Sequence, residues 1–243
     1  MKEKQLQQKK RRILWGWILA VLLLSISMGT VNVQAAKLKL NKTKVTVYKG
    51  CTETLKVTGS KKKVKWSSSK KAVASVSSSG KIKGKKKGTT VIYAKVGKQT
   101  LKCKVTVKEP SNAQRLNLAK KEARKIVKKY VISNLNTKER AFVLFQYLTE
   151  HCCWQLNQST EAYKKNYGNE AYAALILKKA ACSGYARAYK LLCEAAGIPV
   201  RHVNAGSWTH QWNEIKANGK WIKVDAYGGT FADTTGIRKS LLK

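Results

Sequence analysis

Between residues 37 and 108 the chain alternates apolar and polar positions in short runs. KVTVY (44–48), TLKVT (54–58), KVKWSS (63–68), TVIYAKV (90–96) and LKCKVTV (101–107) set β-branched or apolar residues against Lys, Thr or Ser. That period of two is the signature of half-buried strands. Gly50, Gly59, Gly80, Gly84, Gly88 and Gly97 punctuate the runs, where turns need residues free to adopt unusual backbone angles. Several short strands at this spacing predict a small all-β sandwich.

After Glu109-Pro110-Ser111-Asn112, read as a linker, the period becomes helical. Leu116, Ala119, Ala123, Ile126, Val127 and Tyr130 recur at spacings of three and four, with Lys and Arg opposite, as on an amphipathic helix. Asn136 with Glu139 forms a capping-box pattern that opens a second helix through Ala141, Phe142, Phe145, Leu148 and Cys152. Asn169 is a candidate cap for a third, with Tyr172, Leu175 and Ile176 on its apolar face. A fourth runs from about Cys182 to Ala196, where Gly197 and Pro199 stop it. Strands are expected at 200–204, 209–216 and 221–225. The second region therefore reads as α+β, helices first and sheet last.

The N-terminus changes the picture of where this chain works. Six basic residues lie within Met1–Arg12, an apolar run covers Ile13–Leu24, and Val33-Gln34-Ala35 offers small residues for cleavage. This is the layout of a secretory signal peptide, with an uncleaved signal anchor as the alternative; the apolar core is short for a span of about 20 residues. The expected organisation is a signal peptide at 1–36, a β domain at 37–108, a linker at 109–112 and an α+β domain at 113–243. After cleavage no stable membrane span is expected.

Net charge is +38, concentrated in the β domain, where 37–110 carry 22 Lys and 2 Glu. The lysines stand singly or in short runs, without a recognition helix or zinc pattern, so nucleic acid is not an expected partner. For an exported chain the candidate partners are anionic cell-wall polymers or lipid head groups. The plain alternative is a solvated, soluble surface.

Candidate chemistry centres on Cys182 in ACSGYARAYKLLCEAAG. The first turn of a helix presents unpaired N–H groups and the positive end of its dipole. A thiol there is biased toward thiolate; alone, it reads first as a buried core cysteine. THQWNEIKANGKWIKVDAY adds a hairpin, with Asn218-Gly219 at its turn. If Ala217 pairs with Lys220, then Trp212 faces Asp225 and His210 faces Tyr227. His210 and Asp225 then share one face as diagonal neighbours, and a one-residue slip would separate them. A carboxylate so placed orients the imidazole, whose other nitrogen can take a thiol proton.

Two resemblances follow from these strings. VKWSSSKKAVASVSSSGKIKGKKKGTTVIYAKVG with CKVTV resembles the bacterial immunoglobulin-like domain of group 2 (the Big2 type), a spacer or adhesive module without catalytic role; the resemblance places Trp66, Val73, Val76, Ile82 and Ile92 in its core. ACSGYARAYKLLCEAAGIPVRHV with HQWNEIKANGKWIKVDAY resembles the transglutaminase-like, papain-related superfamily, over about residues 140–230. The family pattern falls on Cys182, His210 and Asp225. It implies a papain-like packing of helix against sheet, a Cys-His-Asp relay, a thioester intermediate, a peptide or protein substrate, and no metal or organic cofactor. Gln211 departs from the pattern, standing where a small residue is usual. The backbone N–H of Cys182 is the expected oxyanion donor, with a second in the region 150–172. A catalytically idle, envelope-binding protein is the competing reading.

The remaining residues carry weaker signals. Trp208, Trp212 and Trp221 are candidates for a substrate groove. His151-Cys152-Cys153 resembles a fragment of a metal site but lacks a second ligand pair with zinc-like spacing. His202 reads as structural and Glu214 as a surface charge. Six cysteines in an exported chain suggest disulfides. Cys51 with Cys103 is the expected bridge in the β domain, closing a loop of about 50 residues; Cys152 with Cys193 is a second candidate.

Overall fold

The computed structural model describes residues 37–154, 167–206 and 209–242. The expected signal peptide lies outside them. A small unit takes in Lys39 and Thr58–Lys61, where the Thr58 hydroxyl donates to the Lys39 carbonyl at 3.5 Å. Residues 40–57 and 62–242 belong to one larger unit, which holds two lobes with separate hydrophobic cores.

The β lobe contains β1 (Lys44–Tyr48), β2 (Thr52–Thr54), β3 (Lys65–Ser68), β4 (Ala74–Val76), β5 (Lys81–Gly84), β6 (Gly88–Val96) and β7 (Gln99–Lys108). One sheet runs β1-β7-β6-β3 and the other β2-β5-β4. Only β1 and β7 pair in parallel within these two sheets. Alternation along β1 and β5 sends Val45, Val47 and Ile82 inward and every lysine outward. Ile82, Ile92, Cys103 and Val105 are fully buried, and Trp66, Val73 and Val76 pack on them half-buried. The strands β4 and β5 are only three and four residues long, too short for the period of two to mark them in the sequence on its own.

The expected Cys51–Cys103 bridge is not formed; both are free thiols, as are Cys152 and Cys193. Cys103 sits opposite Ile92 in the middle of β7, inside the β core. Cys51 follows the turn at Gly50 and is half-buried beside Lys121, Glu122 and Lys125 of the next lobe. Cys51 also packs against the β core cluster that contains Cys103.

The α+β lobe begins at α1 (Asn112–Tyr130), one residue after its cap. Ser111 belongs to that helix start, not to a linker: its hydroxyl accepts from Gln114 N–H while Gln114 Oε1 accepts from Ser111 N–H. Leu116, expected inward, is nearly half exposed. The helix α2 (Thr137–His151) opens on the Asn136–Glu139 capping box and leads into the two-residue β8 (Cys153–Trp154). Where Asn169 was expected to cap a helix, a π-helical turn covers Ala173–Leu177 and ends on Lys178 in the left-handed region. A short β9 (Lys179–Ala180), parallel to β8, then delivers the chain to α3 (Cys182–Ala195). Last comes an antiparallel sheet of β10 (Val200–Asn204), β11 (Gln211–Ala217), β12 (Lys220–Asp225) and β13 (Thr230–Phe231), in that order. The helix α3 packs against α1 and α2 on one side and against β10 and β11 on the other. This buries Tyr185, Ala188, Tyr189, Leu192 and Cys193. An all-β immunoglobulin-like region thus precedes a mixed helix-and-strand region. No helix among the described residues is long and apolar enough to cross a membrane.

The lobes meet through ordered polar contacts. Tyr172 donates its hydroxyl to the Lys49 carbonyl, and Gln114 Nε2 donates to the Tyr48 hydroxyl at 2.7 Å. Gly50 has φ +80°, and a Cβ there would lie 2.5 Å from Leu177 Cδ2. The approach needs glycine on both counts.

Candidate active site

The hairpin β11–β12 turns on Asn218 and Gly219, both at positive φ (50° and 77°), the backbone that a two-residue turn of this hand requires. Ala217 pairs with Lys220 and Asn213 with Val224, so the alternation continues to put Trp212 across from Asp225. On this register His210, one residue before β11, reaches the end of β12. Its Nε2 lies 2.6 Å from Asp225 Oδ2. Asp225 is buried, 6% exposed, and its second oxygen accepts the Gly228 N–H at 2.9 Å. A side chain at Gly228 would place Cβ 2.7 Å from Asp225 Oδ2. The carboxylate is therefore fixed from three directions: by its strand, by the imidazole and by the turn that follows it. With Nε2 engaged by Asp225, Nδ1 is the nitrogen left for a thiol.

Cys182 is half-buried, at the first position of α3. No side chain caps that helix start, so its first N–H groups remain oriented toward the thiol end of the helix. The start is anchored by the Ala181 N–H, which donates to the Gly168 carbonyl at 2.9 Å, and by Arg187, which donates to the Asn169 carbonyl. One helical turn past Cys182, Tyr185 packs edge-on against Tyr227, with centroids 5.5 Å apart, and Tyr227 lies 6.0 Å from the His210 ring. Ring contacts thus link the cysteine helix to the imidazole. The Tyr185 hydroxyl donates to the Cys152 carbonyl, tying the same helix to the end of α2.

Of the candidate groove residues, Trp212 stacks beside His210 at 6.0 Å, and its Nε1 is buried without a hydrogen-bond partner. Trp221 instead lies against the Arg201 guanidinium at 4.4 Å, which in turn pairs with Glu214. Trp208 falls outside the described residues. Trp154 was not a candidate from the sequence. It is 53% exposed and 5.8 Å from Tyr227, brought there by the pairing of β8 with β9. That parallel pairing joins segments 26 residues apart, Cys153 with Lys179, and no local pattern announces it. Gln211 turns away from the site: it is buried and bonded to His202 Nε2 at 2.9 Å.

The other thiols differ in setting from Cys182. Burial pushes Cys152 up to about 11 and raises Cys51, Cys103 and Cys193 as well, which holds them in the unreactive neutral form. His151 points its Nδ1 at the Tyr147 carbonyl, 3.0 Å away, and stacks on the Tyr147 ring. Among the described residues no group of three or more His, Cys, Asp or Glu could hold a metal ion.

Comparison with known proteins returns two family models. Residues 124–226 match the transglutaminase-like superfamily, and residues 27–107 match the bacterial Ig-like domain (group 2). The stretch that matches the group 2 Ig-like model therefore precedes the stretch that matches the transglutaminase-like model. No curated protein matches the chain. Among solved structures, domains 4 and 5 of the S-layer protein SbsC share 30% identity over 29% of this chain, with a TM-score of 0.25; the chain spans half of that structure. A crystal structure of a TGase shares 13% identity over 60% of this chain and 46% of its own length, at a TM-score of 0.40. A termite-gut GH10 xylanase containing a bacterial Ig-like domain shares 19% identity over 36% of this chain and 23% of its own, at 0.29.

Proposed function

We propose that the chain is an exported cysteine acyl-transfer enzyme acting on extracellular or wall-linked peptides, with Cys182 as nucleophile, His210 as base and Asp225 as orienting carboxylate. The observation that carries this is the His210–Asp225 hydrogen bond of 2.6 Å on the hairpin packed against the helix that begins at Cys182. In the reaction, His210 Nδ1 takes the thiol proton as sulfur attacks an amide carbonyl, and returns it to the departing amine. A thioester remains on Cys182. Water or a primary amine then attacks the thioester, and His210 again carries the proton to the sulfur. On this reading the Cys182 backbone N–H stabilises the oxyanion. Asp225 sets the tautomer and supports the imidazolium as it forms. The exposed face of Trp154, with Tyr227 and Trp212 beside His210, offers apolar contact for a peptide side chain. The leader and the Ig-like segment support action outside the cell.

The test is mass spectrometry of peptide and wall-fragment substrates incubated with wild type and with Cys182→Ala. New hydrolysed or amine-linked products are expected with wild type alone. A thiol-directed active-site probe separates this reading from an idle binding protein. It should label Cys182 far faster than the exposed Cys153, and equal labelling would support the idle protein.

A further inference from the structure

We propose that the cleft between β5 and α1 is a binding site for a phosphodiester chain, independent of the cysteine site. The cleft measures about 610 Å³, within the usual size of ligand sites. Three elements send lysines to it. Lys81 and Lys83 lie two residues apart on the outward face of β5, so both side chains project the same way. Lys121 and Lys125 are one turn apart on α1 and share a helix face. Lys178 completes the set from the left-handed residue before β9.

The surroundings leave this charge poorly compensated. The one carboxylate lining the cleft, Glu122, is engaged by Lys125 at 3.3 Å. Lys81, Lys83 and Lys121 form no ion pair among the described residues. Lys178 is half-buried, with its ammonium donating to the Tyr147 hydroxyl at 2.7 Å and standing over that ring at 5.0 Å. Burial lowers its pKa, Glu122 opposes that shift, and the Lys83 charge adds a smaller push in the same direction as burial. Lys83 and Lys178 thus act on one another across the cleft, and a bound anion would ease that pair.

The chemistry of the lining selects the ligand. Ammonium groups are compact point donors suited to phosphate oxygens, and Ser75 adds a hydroxyl at the rim. Several phosphates on one flexible chain would use lysines spread over three elements better than a single ion would. No residue lining the cleft is aromatic, so bases would find nothing to stack on. That favours a sugar- or glycerol-linked polymer over single-stranded nucleic acid, and an exported chain meets such polymers in the cell wall.

The experiment uses the mature chain, with Lys81, Lys83, Lys121 and Lys125 changed together to Ala. A control variant changes Lys65, Lys95, Lys98 and Lys102 to Ala, for the same loss of charge away from the cleft. A defined glycerol-phosphate oligomer and a single-stranded DNA of equal charge serve as probes, with melting temperature as the check on folding. For the glycerol-phosphate oligomer, the cleft variant should bind at least about tenfold more weakly than the control, with a salt dependence shallower by several charges. Equal losses in the two variants would reduce the binding to general surface charge and overturn the assignment. Cleft-dependent binding of DNA alone would overturn it too.

Discussion

The two lobes handle charge in opposite ways. In the β lobe the lysines alternate with core residues and point outward, with few acids to meet them; the Lys42–Glu53 pair, 2.7 Å apart, is exposed on both sides. In the α+β lobe, charged groups are drawn inward and paired. Arg115, 7% exposed, grips both oxygens of Glu170 at 2.7 and 2.8 Å and donates to the Pro110 carbonyl. The buried Glu139 takes Arg238 at 2.7 Å while serving its own helix cap. Lys138 takes Asp233, and His210 takes Asp225. A buried charge is tolerated only when its hydrogen bonds are made, and that requirement fixes geometry. The difference teaches that this chain uses charge as a solvated field in one lobe and as a positioning device in the other. Mutations in the second lobe should therefore cost function and stability residue by residue, and mutations in the first should act mostly through their sum.

The sharpest test of that contrast is at the site. Cys182→Ala and His210→Ala should each lower kcat/KM on the order of 10⁴-fold with an unchanged far-UV spectrum, measured on a substrate found as above. Asp225→Asn should be milder, on the order of 10²-fold, because the imidazole keeps a weaker orienting partner.

A smaller loss is expected from Gly228→Ala. The added methyl would press on Asp225 Oδ2, so kcat should fall by roughly tenfold with little change in KM. A variant as active as wild type would show that the turn after β12 does not hold the carboxylate in place.

Glu170→Gln leaves the Arg115 guanidinium buried with one charged partner removed. It should cost about 2 kcal/mol in denaturant titration. An outward lysine of the β lobe, such as Lys102→Ala, should stay within about 0.5 kcal/mol of wild type. Similar costs for the two would erase the contrast.

The mildest expected effect concerns pH. The Lys138 ammonium beside Asp233, with help from the Thr235 N–H, holds that carboxyl down at about 2. A folded pKa below the ordinary carboxylate value means the pair stabilises fully above that value. The contribution is then lost as pH falls from about 4 toward 2. Lys138→Met should flatten the melting-temperature profile across that window and leave it parallel to wild type above pH 5.

Legibility in the sequence followed how local each interaction is. The hairpin could be placed because Asn218-Gly219 fixes the turn, and the turn fixes which residue opposes which. From that register alone His210 and Asp225 fall on one face. The Asn136–Glu139 cap was readable for the same reason, its partners lying three residues apart. The π-helical turn was not, since Tyr172, Leu175 and Ile176 fit an ordinary helical stripe, and the departure shows only in the bond from the Lys178 N–H back to the Ala173 carbonyl. Trp154 escaped notice because β8 finds β9 across a long stretch of chain. The cysteines misled in a third way: placement beside two strands suggested a bridge for Cys51, whereas it is a free thiol lying between the β core and a helix of the other lobe.

The seat of Leu177 on Gly50 has a consequence for how this architecture can be cut and recombined. A β domain that merely trails from an enzyme could be exchanged for any other spacer, or removed at residue 110, without loss. Here the stretch leading to α3 rests on that domain, with Tyr172 bonded to Lys49 and Gly50 left bare to admit Leu177. A graft carrying only the α+β lobe would expose Ile176 and Leu177 to water and free the segment just upstream of Cys182. The unit to engineer is the pair of domains together, and a chimera with a foreign Ig-like domain should need glycine at the position of Gly50 before it folds well.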